Sequence, residues 1–275
     1  MSACRLPRVL LAASAATLLS ACGMEESDPL LFIAHRGASA EAPENTLASF
    51  ELAWKQGADG VEGDFFLTAD GEMVCIHDST TLRTGGRELV VADSTLAQLR
   101  ELEYGAWKGP GWAGQPLPTL LEVLRTVPRR GRIYIELKCG AEGLAAVRSA
   151  IGRSGLRAWQ VVIISFDEQT VLEAKRMLPA HRAYWLTGLK LEDGSWSPST
   201  AEILATLDRC GADGLDAQAK PEAITPELRD GLIQRRLDLA FWTVNDAATA
   251  ARLGELGAAS LTTDRPGALR AELGR

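Results

Sequence analysis

The sequence predicts an α/β chain folded as a parallel (β/α)8 barrel, a TIM barrel, with one insertion between its second strand and second helix. Three observations predict it. Short apolar runs alternate with helical stretches along the chain, the pattern that builds a parallel sheet. Nine runs read as strands: 30–34, 59–65, 73–77, 131–137, 160–165, 182–186, 213–217, 239–244 and 259–263. A parallel barrel takes eight, and the turn Ala69-Asp70-Gly71 identifies the extra one. Asp-Gly between apolar-rich runs is a hairpin signal, because Gly tolerates the positive φ of a tight turn. A two-residue turn joins antiparallel strands only, since a parallel neighbour needs a long crossover. The run 73–77 is therefore no barrel strand. Third, Gly57-Ala58-Asp59-Gly60 recurs as Gly211-Ala212-Asp213-Gly214, and Gly257-Ala258-Ala259 is a looser copy. Each stands between a helical stretch and a strand-like run, so Gly is expected to end the helix in the left-handed conformation and turn the chain into the next strand.

Residues 1–21 read as a signal peptide. Arg5 and Arg8 supply a basic start, and Val9–Leu19 is an apolar run too short to span a bilayer. Leu19-Ser20-Ala21-Cys22 resembles a bacterial lipobox, in which Cys22 is lipidated and begins the mature chain; several acyl chains would hold it on a membrane surface. The expected location is the bacterial cell envelope, on the periplasmic side or the cell surface. Residues 22–29 then form a short acidic tether, and residues 30–275 the barrel. About 250 residues suffice for one large domain.

Net charge is −7, which argues against a nucleic-acid binder and leaves anchoring to the lipid. Of five cysteines, Cys75, Cys139 and Cys210 remain after Cys4 leaves with the signal and Cys22 is modified. Three at scattered spacing make neither a disulfide framework nor a zinc pattern, and are expected as small buried side chains. No obligate protein partner is implied.

Leu30–Ala34 is all apolar, as in a strand buried on both faces. Thr46–Gln56 has helical periodicity, with Asn45 as expected N-cap and Gly57 as stop. Residues 66–118 form the insertion: the hairpin, a short helix around Ser94–Leu102, and the loop Trp107–Pro118. It leaves from the C-terminal end of strand two, the face where barrel active sites lie. The remaining helices are expected near 119–127, 142–153, 167–177, 199–209, 225–236, 246–254 and 265–273.

Candidate chemistry gathers on that face. Glu62 and Asp64 are two apart on strand two and so point the same way. Two like charges on one strand face repel unless a cation or a shared proton lies between them. Glu136 ends strand three, with Lys138 on the same face. Three converging carboxylates make an oxygen site for one hard divalent cation, Ca2+ or Mg2+. Arg36 and Lys138 add positive charge suited to a phosphate group. His35 ends strand one and His77 closes the hairpin, offering a general acid and a general base. His181 falls at the opposite end and is expected to be structural.

These residues, with their neighbours, also carry a family resemblance. His35-Arg36-Gly37, Pro43-Glu44-Asn45-Thr46, Gly57–Glu62 with Asp64, His77-Asp78, Glu136-Leu137-Lys138, Trp242-Thr243-Val244-Asn245 and Thr263-Asp264-Arg265-Pro266 follow one another in order. Together they resemble the glycerophosphodiester phosphodiesterase family. The resemblance implies that Glu62, Asp64 and Glu136 ligate the cation and that His35 and His77 are the acid–base pair. It implies that Arg36 and Lys138 bind phosphate, that Trp242 lines the glycerol side, and that Glu44 orients Arg36 or joins the cation shell. Asn45, Asn245 and Asp264 are expected as caps or loop ties. Gly63 stands where a bulkier apolar residue is expected. The implied reaction is hydrolysis of a small-molecule glycerophosphodiester to sn-glycerol 3-phosphate and an alcohol, with His77 as the expected acid. Two alternatives stand beside it: a phospholipase C- or D-like activity on lipids, and a non-catalytic lipoprotein that binds phosphodiesters.

Overall fold

The computed structural model describes Met1 and residues 30–275. The signal segment, Cys22 and the tether lie outside the described residues. Within them no helix is long and apolar enough to cross a membrane.

The chain opens with β1 (Leu31–His35) and α1 (Leu47–Lys55), followed by β2 (Gly60–Leu67). The insertion holds β3 (Met73–Cys75), α2 (Leu82–Gly85) and α3 (Leu96–Leu99), and α4 (Leu120–Thr126) resumes the barrel. Then come β4 (Arg132–Leu137), α5 (Leu144–Ser154), β5 (Val161–Ser165), α6 (Glu168–Met177) and β6 (Arg182–Thr187). A small hairpin follows, β7 (Lys190–Glu192) and β8 (Ser195–Ser197), then α7 (Thr200–Cys210) and β9 (Gly214–Gln218). The chain closes with α8 (Pro226–Arg235), β10 (Asp238–Trp242), α9 (Ala247–Glu255), β11 (Ser260–Thr263) and α10 (Pro266–Glu272).

Among the described residues, β1, β2, β4, β5, β6, β9, β10 and β11 pair in parallel around a closed ring, and β1–β2 completes it. β3 pairs antiparallel with β2 and lies outside the ring, as the hairpin argument requires. The turn between them has three residues rather than two: Gly71 N–H bonds Thr68 O at 3.0 Å, with Gly71 at φ 82°. The extra residue lets Gly71 take the left-handed position of a bulged hairpin. The β7–β8 hairpin was not expected from the sequence. Its strands are three residues each and mostly exposed, so no apolar pattern marks them.

The Gly device behaves as read. Gly57, Gly211 and Gly257 sit at φ 79°, 63° and 89°. The Asp that follows in the two close copies ties the floor of the barrel. Asp59 Oδ2 accepts from Phe32 N at 2.9 Å, and Asp213 Oδ2 from Ala183 N at 2.8 Å. The N-cap of α1 is Thr46, whose side chain accepts from Ser49 N, and not Asn45. Asn45 is left-handed at φ 57° and reaches into the barrel mouth instead.

Two layers of packing hold the fold. Outward strand residues such as Val61, Phe65, Ile133 and Ile135 pack against the helices. Inward ones, including Ile33, Tyr134, Val162, Tyr184 and Ala240, fill the barrel beneath its mouth. The insertion carries its own core of Val74, Ile76, Val91, Leu99, Tyr104 and Leu117, so it is a packed unit on the barrel rim. Gly63 is explained by this packing. A Cβ there would lie 3.1 Å from Cys75 Sγ and 3.2 Å from Phe50 Cζ, so those side chains occupy the space of the expected apolar residue. Cys75 and Cys210 are buried, Cys139 is half-buried, and all three are free thiols.

Candidate active site

Strand one delivers its chemistry through a tight turn. Arg36 and Gly37 are both left-handed, at φ 56° and 81°. A Cβ on Gly37 would fall 2.3 Å from Ser49 Oγ, so only Gly fits. The turn aims the Arg36 backbone N–H at Glu62 Oε2, 2.9 Å away. The Arg36 guanidinium lies 2.9 Å from Glu44 Oε1 through Nη1 and 3.2 Å from Asp64 Oδ2 through Nε.

In the parallel ladders His35 stands opposite Glu62, and Asp64 opposite Glu136, so the carboxylates occupy neighbouring rungs. All three are buried, and each offers an oxygen within 4.8 Å of the others. Lys138 Nζ sits 3.2 Å from Asp64 Oδ1 and 2.6 Å from Glu136 Oε1. Asn45 Nδ2 donates to Asp64 Oδ2 at 2.9 Å.

Crowded negative charge sets the titration of the cluster. Burial first, and then the charges of Asp64 and Glu136, push Glu62 well above the usual carboxylate range. Burial and the Asp64 charge raise Glu136 to about 7. Burial also opposes ionisation of Asp64, but Lys138 and Arg36 outweigh it and hold Asp64 down at about 2. Glu62 Oε1 is buried with no hydrogen-bond partner among the described residues. Uncompensated buried charge of this kind is costly. An oxygen-only donor set in which Lys138 and Arg36 reach Asp64 and Glu136 but leave Glu62 Oε1 unpaired fits a hard divalent cation, and these residues would hold one.

Both histidines are gripped at one nitrogen. His35 Nδ1 donates to Asp264 Oδ1, and His77 Nδ1 to Asp78 Oδ1, each at 2.6 Å. Burial opposes ionisation of Asp264, but the bond from His35 and its neighbours hold it down at about 2. A carboxylate on Nδ1 fixes the tautomer and leaves Nε2 for chemistry. Asp78 also accepts from Arg83 Nε at 2.6 Å, and Arg83 bonds both oxygens of Glu44 at 2.8 Å. Glu44 thus bridges Arg36 and Arg83, as an orienting partner and not as part of the carboxylate cluster.

His35, Arg36, Glu62, His77, Glu136 and Lys138 line one side of a cavity of about 250 Å³. The other side is apolar, with Ile164, Leu186, Phe166 and Trp242. The Phe166 and Trp242 rings meet edge to face at 5.5 Å and 84°. His181 precedes β6 at the barrel floor and does not line this cavity, and burial lowers its pKa.

Of the residues expected at the mouth, His35, Arg36, Glu62, His77, Glu136, Lys138 and Trp242 line the cavity, while Asp64 joins the carboxylate cluster behind it and Glu44 contacts Arg36. Sequence reasoning missed the roles of Asp78, Arg83 and Asp264, and missed Asp216, which also lines the cavity. Asp264 is indeed a loop tie, accepting from Asn245 Nδ2 at 2.6 Å, but it grips His35 as well. The signal was present: in a closed barrel the last strand neighbours the first, so a carboxylate just past residue 263 must lie near His35.

The family model for the glycerophosphoryl diester phosphodiesterase family matches residues 35–268. The chain belongs to that family. A glycerophosphodiester phosphodiesterase of Caldanaerobacter subterraneus subsp. tengcongensis is 30% identical over 251 residues, covering 86% of this chain and 94% of the relative. One from Bacillus subtilis is 30% identical over 272 residues, covering 93% and 88%. Among solved structures, a phosphodiesterase of Oleispira antarctica in complex with the product sn-glycerol-3-phosphate superposes with a TM-score of 0.78 at 26% identity. That match covers 90% of this chain and 97% of the other. Family membership makes the chain a phosphodiesterase.

Proposed function

We propose that the chain hydrolyses glycerophosphodiesters to sn-glycerol 3-phosphate and an alcohol, using one divalent cation and the His35–His77 pair. The observation that carries this reading is one cavity in which Glu62 and Glu136 of the buried three-carboxylate cluster line the wall with two histidines, each held by its own carboxylate. The relatives' names and the product bound to the Oleispira enzyme support it.

Glu62, Asp64 and Glu136 would hold the cation, Ca2+ or Mg2+. When bound, it supplies positive charge that offsets the phosphodiester's charge and the charge developing on it. Arg36 and Lys138 face the same cavity and offer their remaining N–H donors to phosphate oxygens. One histidine removes a proton from the nucleophile, either water or the adjacent glycerol hydroxyl by way of a cyclic phosphate. The other protonates the departing alkoxide. Two imidazoles argue for turnover over mere binding, since capture of a phosphodiester needs only the cation and the basic side chains. Phe166 and Trp242 wall the side of the cavity that takes the carbon chain. Cys22 is proposed as the site of lipidation, tested by fatty-acid labelling of the wild type and of Cys22→Ser.

The deciding experiment incubates purified mature protein with glycerophosphocholine and Ca2+ or Mg2+ and measures release of sn-glycerol 3-phosphate. Release that EDTA abolishes is expected. Absence of product with either cation overturns the reading.

A further inference from the structure

The repeated Gly-Ala-Asp-Gly turn carries a second carboxylate that the reaction above does not use. In the first copy Asp59 ties the floor, and Glu62, three residues on, enters the mouth. In the second copy Asp213 ties the floor, and Asp216, three residues on, does the same. The ring order sets β2 and β9 four places apart among eight strands, so the two carboxylates enter from diametrically opposite walls.

The ladder partners of Asp216 are Leu186 and Ala240, both inside the barrel. Asp216 is 1% exposed, and its Oδ1 is buried without a hydrogen-bond partner among the described residues. It stands outside the cluster formed by Glu62, Asp64 and Glu136. Trp242 Nε1 donates to the backbone oxygen of Asp216 at 3.2 Å, which seats the aromatic wall beside it. A carboxyl buried this far needs a partner, and the cavity is where one can come from.

We infer that Asp216 binds the terminal hydroxyl of the glycerol moiety and makes the enzyme selective for glycerol over smaller alcohol groups. The inference rests on the functional reading above. In that reading the phosphate is held on the β1, β2 and β4 side by Arg36, Lys138 and the cation, and the terminal hydroxyl is the glycerol group furthest from phosphorus. It is therefore the group that crosses to the opposite wall. Burial, and to a lesser degree the charge of Glu136, push Asp216 up to about 8. Burial favours its neutral form, which both donates and accepts, and so matches an alcohol hydroxyl without repelling phosphate. A site built to bond a hydroxyl rejects the analogue lacking it, because its own buried group is left unpaired.

The test is calorimetry on Ca2+-loaded protein with sn-glycerol 3-phosphate and with 2-hydroxypropyl phosphate, which lacks the terminal hydroxyl. The wild type should prefer glycerol phosphate by roughly tenfold to a hundredfold. Asp216→Leu should lose that preference and bind both alike, while Asp216→Asn, which also donates and accepts, should keep most of it. Equal binding of the two ligands by the wild type overturns the proposal, and so does no binding of either. A uniform loss for both ligands in Asp216→Leu, or a loss of Ca2+ affinity in its place, also overturns it. Turnover of the matching phosphocholine diesters separates the two readings. Binding with the expected preference but no turnover removes the functional reading alone, and turnover without preference removes this one alone.

Discussion

The two ends of the barrel use acidic residues in opposite ways. At the floor, Asp59 accepts from Phe32 N and from Arg270 Nη1, and Asp213 from Ala183 N and Lys175 Nζ. Those carboxylates are half-exposed, and each is bonded by a backbone N–H and a basic side chain. At the mouth, Glu62, Asp64, Glu136 and Asp216 are buried, and Glu62 and Asp216 each keep an oxygen without a partner. The same short turn produces one residue of each kind, three positions apart. An acid that the fold satisfies stabilises it, whereas an acid that the fold buries and leaves unsatisfied is held for something that arrives from outside.

That contrast can be broken from either end. The largest effect expected is at the mouth: His77→Ala should keep the circular dichroism of the wild type and lose roughly 10² to 10⁴ in kcat. Retention of more than a tenth of the activity would exclude His77 as an essential acid or base. At the floor, Asp213→Ala should behave in reverse. It should lower stability by about 1–3 kcal/mol in a urea titration, because it strips Ala183 N and Lys175 of their partner, yet leave kcat at 25 °C nearly unchanged. A large kcat loss there would end the division of labour between the two ends.

A smaller effect sharpens the comparison. Glu62→Gln should weaken Ca2+ binding roughly tenfold or more by calorimetry. The same change should raise the melting temperature of the cation-free protein at pH 8, since it removes one of several crowded buried charges. Unchanged Ca2+ affinity would move the ion elsewhere.

The smallest effect is a pH trend. Glu136 binds its proton up to about 7 in the folded chain but only to about 4.3 when unfolded. The folded state therefore holds more protons between those values, and cation-free stability should fall as pH rises through that window. Ca2+ affinity should rise through the same window, because the ligand must lose its proton. Asp264, held at about 2, acts with the opposite sign, adding stability as pH rises, but only below about pH 4. Calorimetry at pH 5.5, 6.5 and 7.5 checks the trend, and a flat affinity would remove Glu136 from the ligand set.

Much of this was legible before any coordinates. Alternating apolar runs, the Asp-Gly hairpin and the Gly turns depend on local rules, and they set the strand count and the position of the insertion. The triad was legible because period-two alternation puts Glu62 beside Asp64, and the barrel puts Glu136 on the next strand. The unread parts are long-range or lack a pattern. Asp264 meets His35 across 229 positions, through ring closure and not through spacing. Asn45 looks like a cap because its residue type favours caps, but Thr46 takes that place and frees Asn45 to bond Asp64. The β7–β8 hairpin buries too little to leave a periodic signal.

One further consequence follows from where β1 starts. Leu31 N–H bonds Ala259 O on the floor, so the chain enters the barrel at the end away from the mouth. Were Cys22 lipidated as proposed, the anchored end of the chain would join the barrel on the face opposite its mouth.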